Sequence, residues 1–495
     1  MPKPRPVLAA ALIGVLWGAF VPAWAADAPA GPCRLRGVEH EALCGAVRRA
    51  LDPARPQGPQ IDVHYAVLPA LARNKKPDPV FFFAGGPGQS AIDLAPAIGA
   101  MLGRFSNRRD IVLVDQRGTG RSAPLQCEPD DPALPLAEQF DLKRQRERQL
   151  RCLERLKALP HGDLRLYTTT IAMADADAVR AALGAEKLNL IGGSYGTRAA
   201  LEYQRQFPQR VRRAVLDGVA PPDMALPASF SRDNQAALDA LFDACVQDKA
   251  CETREPRLAE RWRGLRASLP RKVSLAHPLT GRSEGFELTP ELLLGMVRGP
   301  LYVPALAAAL PSALGDATRG RFEPLAGLAM AFAGGRRAPQ MAAGMHYAVA
   351  CAEDFPRLAQ SDDRPGADFG ESFAEMYREV CPHVARGEVP AAFYQVPPAP
   401  AAVLVLSGGI DPATPPRHGE RVAKALGAQA RHVLVPNAGH GVMGIGCMRD
   451  VLYRFVDADD DADALKVDAG CVTAIPRPPM FALPDPQAGR EGGAR

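Results

Sequence analysis

The sequence predicts an α/β protein: a mostly parallel sheet with helices on both faces, into which a helical cap is inserted before the last strands. Three observations predict it. Short apolar runs of strand length alternate with helical segments, the pattern of strand–helix–strand units laid into a parallel sheet. The alternation stops between Pro221 and about Pro400, where Ala, Leu, Arg and Pro dominate, and then resumes. One apolar run, Leu188-Asn189-Leu190-Ile191, passes through Gly192-Gly193-Ser194-Tyr195-Gly196 directly into a helix-forming stretch.

Residues 1–25 combine a basic start at Lys3 and Arg5, an apolar stretch from Val7 to Phe20, and Ala23-Trp24-Ala25. That order is expected of a secretory signal peptide cut after Ala25. The apolar stretch is short for a bilayer span, and no later segment reaches spanning length, so an exported protein without a membrane partner is expected. Residues 26–220 read as the first part of the core. Residues 44–50 and 61–67 are opening strands, the second alternating in polarity as an edge hairpin does. Residues 79–83 and 111–114 are continuous apolar runs, as strands buried on both faces require. The nucleophile strand and a strand at 214–216 follow. Residues 130–160 form a small excursion whose 138–157 stretch reads as a charged, solvated helix.

Residues 221–400 read as the cap, with helical periodicity at 234–246, 290–298 and 301–314. Lying between two buried strands, the insertion sits over the carboxyl ends of the sheet, where open sheets bind ligands. Residues 401–475 complete the core with strands at 402–406 and 432–435. Residues 476–495, with repeated Pro and Gly, are expected to be a loosely ordered tail.

The chain has 495 residues, 47% hydrophobic and 23% charged, as a globular protein does. Its net charge is +4, and removal of Lys3 and Arg5 with the leader leaves about +2. That balance is too small to suggest nucleic acid or an anionic membrane as partner. Ten cysteines agree with an oxidising compartment. They fall as neighbours: Cys33 and Cys44, Cys127 and Cys152, Cys245 and Cys251, Cys351 and Cys381, Cys447 and Cys471. Sequential pairing is the working hypothesis, since spacing alone does not fix connectivity; each bridge would contribute ~2–3 kcal/mol by restricting the unfolded chain. No Cys-x-x-Cys occurs and the histidines are scattered, so no metal site and no cofactor are expected.

Gly-x-Ser-x-Gly at a strand-to-helix turn lifts a serine hydroxyl above the sheet, which makes Ser194 the candidate nucleophile. A second match, Gly281-Arg282-Ser283-Glu284-Gly285, has no apolar strand before it and reads as a surface loop. Acyl transfer from a serine also needs a base, an orienting acid and donors for the oxyanion. Asp411 follows the 402–406 strand and His440 follows the 432–435 strand. The order Ser194, Asp411, His440 is that of the α/β-hydrolase fold, with His440 as base and Asp411 holding its tautomer. The oxyanion donors are expected to be the backbone amides of Gly86 and Tyr195. Asp217, also at a strand end, is a substitute acid partner for His440, but Asp411 suits the fold order better. Arg117 and Arg121 read as braces of their strand-end loop. Asp175 and Asp177 read as acids suited to a helix start after Thr168-Thr169-Thr170.

Gly85-Gly86-Pro87-Gly88, Asp115-Gln116-Arg117-Gly118-Thr119-Gly120-Arg121-Ser122, Gly192-Gly193-Ser194-Tyr195-Gly196-Thr197, the Asp411 loop and Ala438-Gly439-His440 together resemble the proline iminopeptidase and secreted tripeptidyl aminopeptidase branch of the α/β hydrolases. The resemblance runs from about Cys33 to Cys471. One departure is Ala84, where the branch often has His before Gly-Gly-Pro-Gly, so the oxyanion turn is expected to be supported differently. The resemblance implies removal of residues from a free amino terminus, and hence a carboxylate that meets the substrate ammonium. Glu353 and Asp354, beside Cys351, are the candidates; a solvated acidic pair at a helix end is the competing reading. The expected function is an exported serine aminopeptidase that takes peptide substrates, with one residue or a short peptide released and proline preference open. A carboxylesterase or lipase-like acyl hydrolase is the nearest rival. A non-catalytic binding protein on the same scaffold is a third class.

Overall fold

The computed structural model describes residues 30–129, 131–333 and 340–481. The expected leader (1–25) and all but the start of the expected tail (476–495) lie outside these residues. The core is a nine-stranded sheet in the order β1-β2-β3-β5-β4-β6-β7-β10-β11. Its strands are β1 (Gly31–Cys33), β2 (Ala42–Ala50), β3 (Gln60–Leu68), β4 (Val80–Phe83), β5 (Ile111–Val114), β6 (Leu188–Gly193), β7 (Val211–Asp217), β10 (Val403–Gly408) and β11 (Ala430–Val435). The first three strands are an antiparallel meander, and every pairing from β5 through β11 is parallel. β1, three partly exposed residues tied to β2 by Cys33–Cys44, has no apolar pattern to reveal it in the sequence.

The sheet buries both faces. Along β4, Phe81 and Phe83 enter a layer with Tyr167 and Tyr203, while Val80 and Phe82 enter the opposite layer with Leu102 and Phe455. This is why the 80–83 and 111–114 runs are apolar without alternation. Parallel register brings the strand ends into line: Gly193 lies beside Asp217 and Gly408 beside Val435. The turns after β4, β6, β10 and β11 therefore share one edge of the sheet.

Between β7 and β10 the chain builds a separate core around Trp262, Leu293, Leu310 and Phe369. Its first helix, Leu226–Gln247, is longer than the periodicity indicated. The stretch expected as a helix over 301–314 is instead broken into Pro290–Leu301, Pro304–Ala307 and Leu310–Thr318, because Pro304 and Pro311 each supply a first-turn residue without an amide hydrogen. The insertion also holds an antiparallel hairpin, β8 (Arg271–Ala276) and β9 (Ser283–Leu288). The second Gly-x-Ser-x-Gly match is thus the hairpin turn and the start of β9, not only a loop; Gly281 takes φ +70° there. The charged 138–157 stretch splits into Leu136–Gln139 and Leu142–Lys157. The second is capped by Asp141 and buries Cys152, Leu153 and Leu156 against the core.

Five disulfides join Cys33–Cys44, Cys127–Cys152, Cys245–Cys251, Cys351–Cys381 and Cys447–Cys471, the sequential pairing anticipated above. Among the described residues, no helix is long and apolar enough to cross a membrane.

Candidate active site

Ser194 has φ +55°, a conformation that non-glycine residues rarely adopt and that costs about 1–3 kcal/mol. The surroundings impose it. A Cβ on Gly192 would collide with Gly196 carbonyl oxygen, and one on Gly196 with that of Phe83, so the turn closes only with glycine at both places. Ser194 N–H donates to Asp217 O at 2.8 Å, and Thr197 N–H and Oγ1–H both donate to Ser194 O at 2.9 and 2.6 Å. Ala220 N–H in turn holds Thr197 Oγ1 at 2.9 Å. The serine is pinned from three sides at the mouth of the helix Tyr195–Gln206.

His440 Nδ1 lies 3.0 and 2.9 Å from the two carboxylate oxygens of Asp411. The Asp411 carboxylate is fully buried and also accepts Ala413 N–H, Thr414 N–H and Thr414 Oγ1–H at 2.8, 3.0 and 2.8 Å. Burial pushes Asp411 up, but His440 and these donors outweigh it and hold the carboxyl below its ordinary value. Burial likewise pushes His440 down, while the charge of Asp411, its hydrogen bond and the charge of Asp217 bring the imidazole above its ordinary value. With Nδ1 committed to Asp411, Nε2 is the ring nitrogen left for another partner. The ring's hydrogen bonds run to Asp411 and Thr414, with none to Ser194 among the described residues.

Asp217 does not substitute for Asp411. Its carboxylate accepts Val442 N–H and Met443 N–H, just beyond His440, and so anchors the histidine loop through backbone. Desolvation raises its pKa to about 6. Asp217-Gly218 is the junction of the site: its carbonyl holds Ser194, and a Cβ on Gly218 would stand 3.4 Å from His440 Cε1.

The turn after β4 lies against the serine, since a Cβ on Gly85 would stand 3.2 Å from Ser194 Cβ. Gly86 takes φ +114°, a backbone conformation that favours glycine. Tyr195 is the first residue of its helix, where an N–H has no intrahelical partner, while its hydroxyl points into the core within 2.7 Å of Thr169 Oγ1. Behind the turn, Asp115 Oδ1 accepts Ser90 Oγ–H at 2.7 Å and Ile92 N–H at 3.1 Å, and Asp115 Oδ2 accepts Arg121 N–H at 3.4 Å. Arg117 braces its loop through Asp175 at 2.6 Å and through Leu51 O and Leu166 O. Asp175 therefore acts as a buried ion-pair partner in mid-helix, not as a charge at the helix start. Asp177, in the same helix, pairs with Arg180.

Two residues missed in the sequence complete the turn's support. Ala342 N–H donates to Gly88 O at 2.8 Å, and His346 Nδ1–H donates to Pro87 O at 3.3 Å. Tyr377 O–H reaches His346 Nε2 at 2.7 Å. Burial drives His346 down to about 4, so it is neutral and has one donor and one acceptor nitrogen, as this chain needs. Its partner is 259 residues away, and no local pattern announces the pairing. His346 is a positioning residue: His346→Ala is expected to lower kcat about 10–100-fold with little change in KM, and Tyr377→Phe to do the same more weakly. Steady-state kinetics check both, and a change confined to KM would contradict the role.

Glu353 and Asp354, expected to meet the substrate ammonium, lie in a buried cluster. Both are fully buried and engaged by Arg198, at 3.3 Å from Glu353 Oε2 and 2.9 Å from Asp354 Oδ1. Thr169 N–H and Oγ1–H donate to Glu353 at 2.7 and 3.0 Å, and Leu226 N–H donates to Asp354 at 3.3 Å. No face of either carboxylate is open to an ammonium. Glu353→Gln is therefore expected to shift Tm while leaving the ratio of KM values for free-amine and blocked peptides unchanged; a selective rise for the free amine would restore the ammonium role. Among the described residues, no group of His, Cys, Asp and Glu is placed to hold a metal ion.

Residues 78–444 match the family model described as alpha/beta hydrolase fold. The chain is 33% identical over 211 residues to serine protease Hip1 of Mycobacterium tuberculosis, covering 39% of each chain. It is 33% identical over 195 residues to tripeptidyl aminopeptidase of Streptomyces lividans, covering 36% of this chain and 35% of that one. It is 30% identical over 141 residues to proline iminopeptidase of Neisseria meningitidis, covering 28% and 32%. The chain thus spans less than two fifths of the length of each of these relatives. With well over half of its residues matched by the family model, the chain belongs to the alpha/beta hydrolase fold family.

Proposed function

We propose that the protein is an exported serine aminopeptidase that cleaves peptide bonds near a free amino terminus through Ser194, His440 and Asp411. The observation that carries this reading is a strained serine, an Asp-paired histidine and a glycine turn meeting at one edge of the sheet. His440 Nε2 takes the Ser194 Oγ proton as that oxygen attacks the scissile carbonyl carbon. The developing oxyanion lies between the amides of Gly86 and Tyr195. His440 then gives its proton to the leaving amine, and water, activated by the same base, releases the acyl group from Ser194. Peptidase names among the relatives and the five disulfides support a peptide substrate and an oxidising compartment.

A carboxylesterase reading is favoured by one specific observation: the carboxylates at Glu353 and Asp354 are buried against Arg198 and not free to hold an ammonium. Paired substrates separate the two. Turnover of free-amine peptide anilides, with their N-blocked forms and p-nitrophenyl esters much slower, is the expected result. Turnover of esters alone would replace the aminopeptidase with the esterase.

A further inference from the structure

The insertion places one cation near His440, and among the described residues no carboxylate pairs with it. Arg298 lies near the end of the cap helix Pro290–Leu301, half-buried. Its guanidinium carbon stands 5.0, 5.1 and 5.8 Å from the ring centres of Phe373, Phe230 and Tyr302, and Nη2–H donates to Tyr302 Oη at 3.2 Å. Its Nε is buried without a hydrogen-bond partner, and no carboxylate pairs with it among the described residues. The buried arginines differ: Arg109, Arg117, Arg180 and Arg198 each meet a carboxylate within 3.3 Å, and Arg213 meets Asp461 at 3.4 Å. Three aromatic rings hold the Arg298 cation by their faces and leave hydrogen-bond donors unspent.

Its position ties it to the chemistry. Tyr302, the next link, accepts His440 N–H through its carbonyl at 3.0 Å and sets its ring 5.1 Å from the imidazole, edge to face. On the other side, the charge of Arg298 bears on His346, which holds the turn after β4, and on His440 itself, lowering both. Through Tyr302, whose hydroxyl it meets and whose ring stands beside the imidazole, the guanidinium lies one side chain away from His440. A planar fork of donors in a half-buried, aromatic-lined place selects carboxylate.

We propose that Arg298 binds a carboxylate of the substrate, so that the enzyme favours acyl substrates bearing an anionic group, either an acidic side chain or the free carboxyl terminus of a short peptide. This rests on the hydrolase reading above and adds a charge specificity to it. It also reverses the electrostatics expected from a pocket built around an ammonium ligand.

The test compares substrates that differ only in that charge. One arm sets peptides with Asp or Glu against Asn or Gln at the same position. A second sets a free carboxyl terminus against its amide. A third uses p-nitrophenyl hemisuccinate against p-nitrophenyl butyrate. Wild type is expected to favour the carboxylate form about 10–100-fold in kcat/KM, chiefly through KM. The preference is expected to collapse toward unity in Arg298→Gln and to persist, weakened, in Arg298→Lys, which keeps the charge but not the fork. Preference in the first arm alone assigns the side chain, and in the second alone the terminus. Equal turnover of charged and neutral forms by wild type, or a preference that survives Arg298→Gln, would overturn the proposal. The ester arm keeps the outcomes separate: silence on all peptides with charge-selective ester cleavage removes the aminopeptidase reading and retains Arg298. Should Arg298→Gln not fold, competitive inhibition of wild-type ester hydrolysis by succinate, and its weakening in Arg298→Lys, decides the matter.

Discussion

Ser194→Ala is expected to lower kcat/KM about 10⁴-fold or more on every substrate the wild type cleaves, with the unfolding transition unchanged. The expectation follows from the placement of the side chain: the turn is held by Ser194 backbone atoms, through Asp217 O and Thr197, and not by Oγ. Removing Oγ therefore removes the proposed attacking atom and leaves the scaffold. The same centre sets the pH profile. The base must be neutral to accept a proton, and Asp411 and Asp217 hold His440 above the ordinary histidine value of 6.5, against its burial and the Arg298 charge. So kcat/KM is expected to fall with acidification through a pKa above that value. A wild-type acid limb centred well below 6.5 would contradict the assignment of the base.

Arg198→Met is expected to destabilise the fold by about 3–5 kcal/mol, because it strands two fully buried carboxylates without their cation. Arg198 lies on the helix that follows Ser194, and Asp354 also takes Leu226 N–H at the root of the cap, so the cluster joins the serine helix to the insertion. The pH dependence carries a definite sign. Burial raises Glu353 to about 7, so the folded state keeps this proton longer than the unfolded chain does. Its contribution is fully present below the ordinary value of 4.5 and is lost as pH rises through about 7. The penalty of Arg198→Met is therefore expected to be smaller at pH 5 than at pH 8. Denaturant unfolding at the two values checks it, and adding Glu353→Gln and Asp354→Asn is expected to recover part of the loss. A penalty independent of pH would mean that the cluster does not titrate with folding.

What the sequence disclosed follows from what is local. Apolar runs at 80–83 and 111–114, with glycines at 192 and 196, announce a buried parallel sheet and its serine turn, because strand burial and backbone collisions act over a few residues. Asp411 and His440 drew notice as candidates because each lies in the loop just past a strand. The roles of Asp217, His346 and Arg298 were not legible, since each is defined by a partner brought close only by the fold: Val442, Pro87 and a set of aromatic rings. Glu353 and Asp354 illustrate the reverse. Their position beside Cys351 suggested a fixed binding edge, yet a buried arginine four residues past the serine claims both. The β8–β9 hairpin escaped notice because its strands are polar and half exposed.

The central claim, that Ser194 is the nucleophile of a working hydrolase centre, is tested most directly by covalent labelling. The mature protein is treated with a fluorophosphonate, which transfers its phosphonyl group to an activated serine oxygen with loss of fluoride, and is then mapped by peptide mass. A single adduct on the peptide holding Ser194, absent in Ser194→Ala and strongly slowed in His440→Ala, is the predicted result. No adduct on folded protein, or one on another residue, would contradict it.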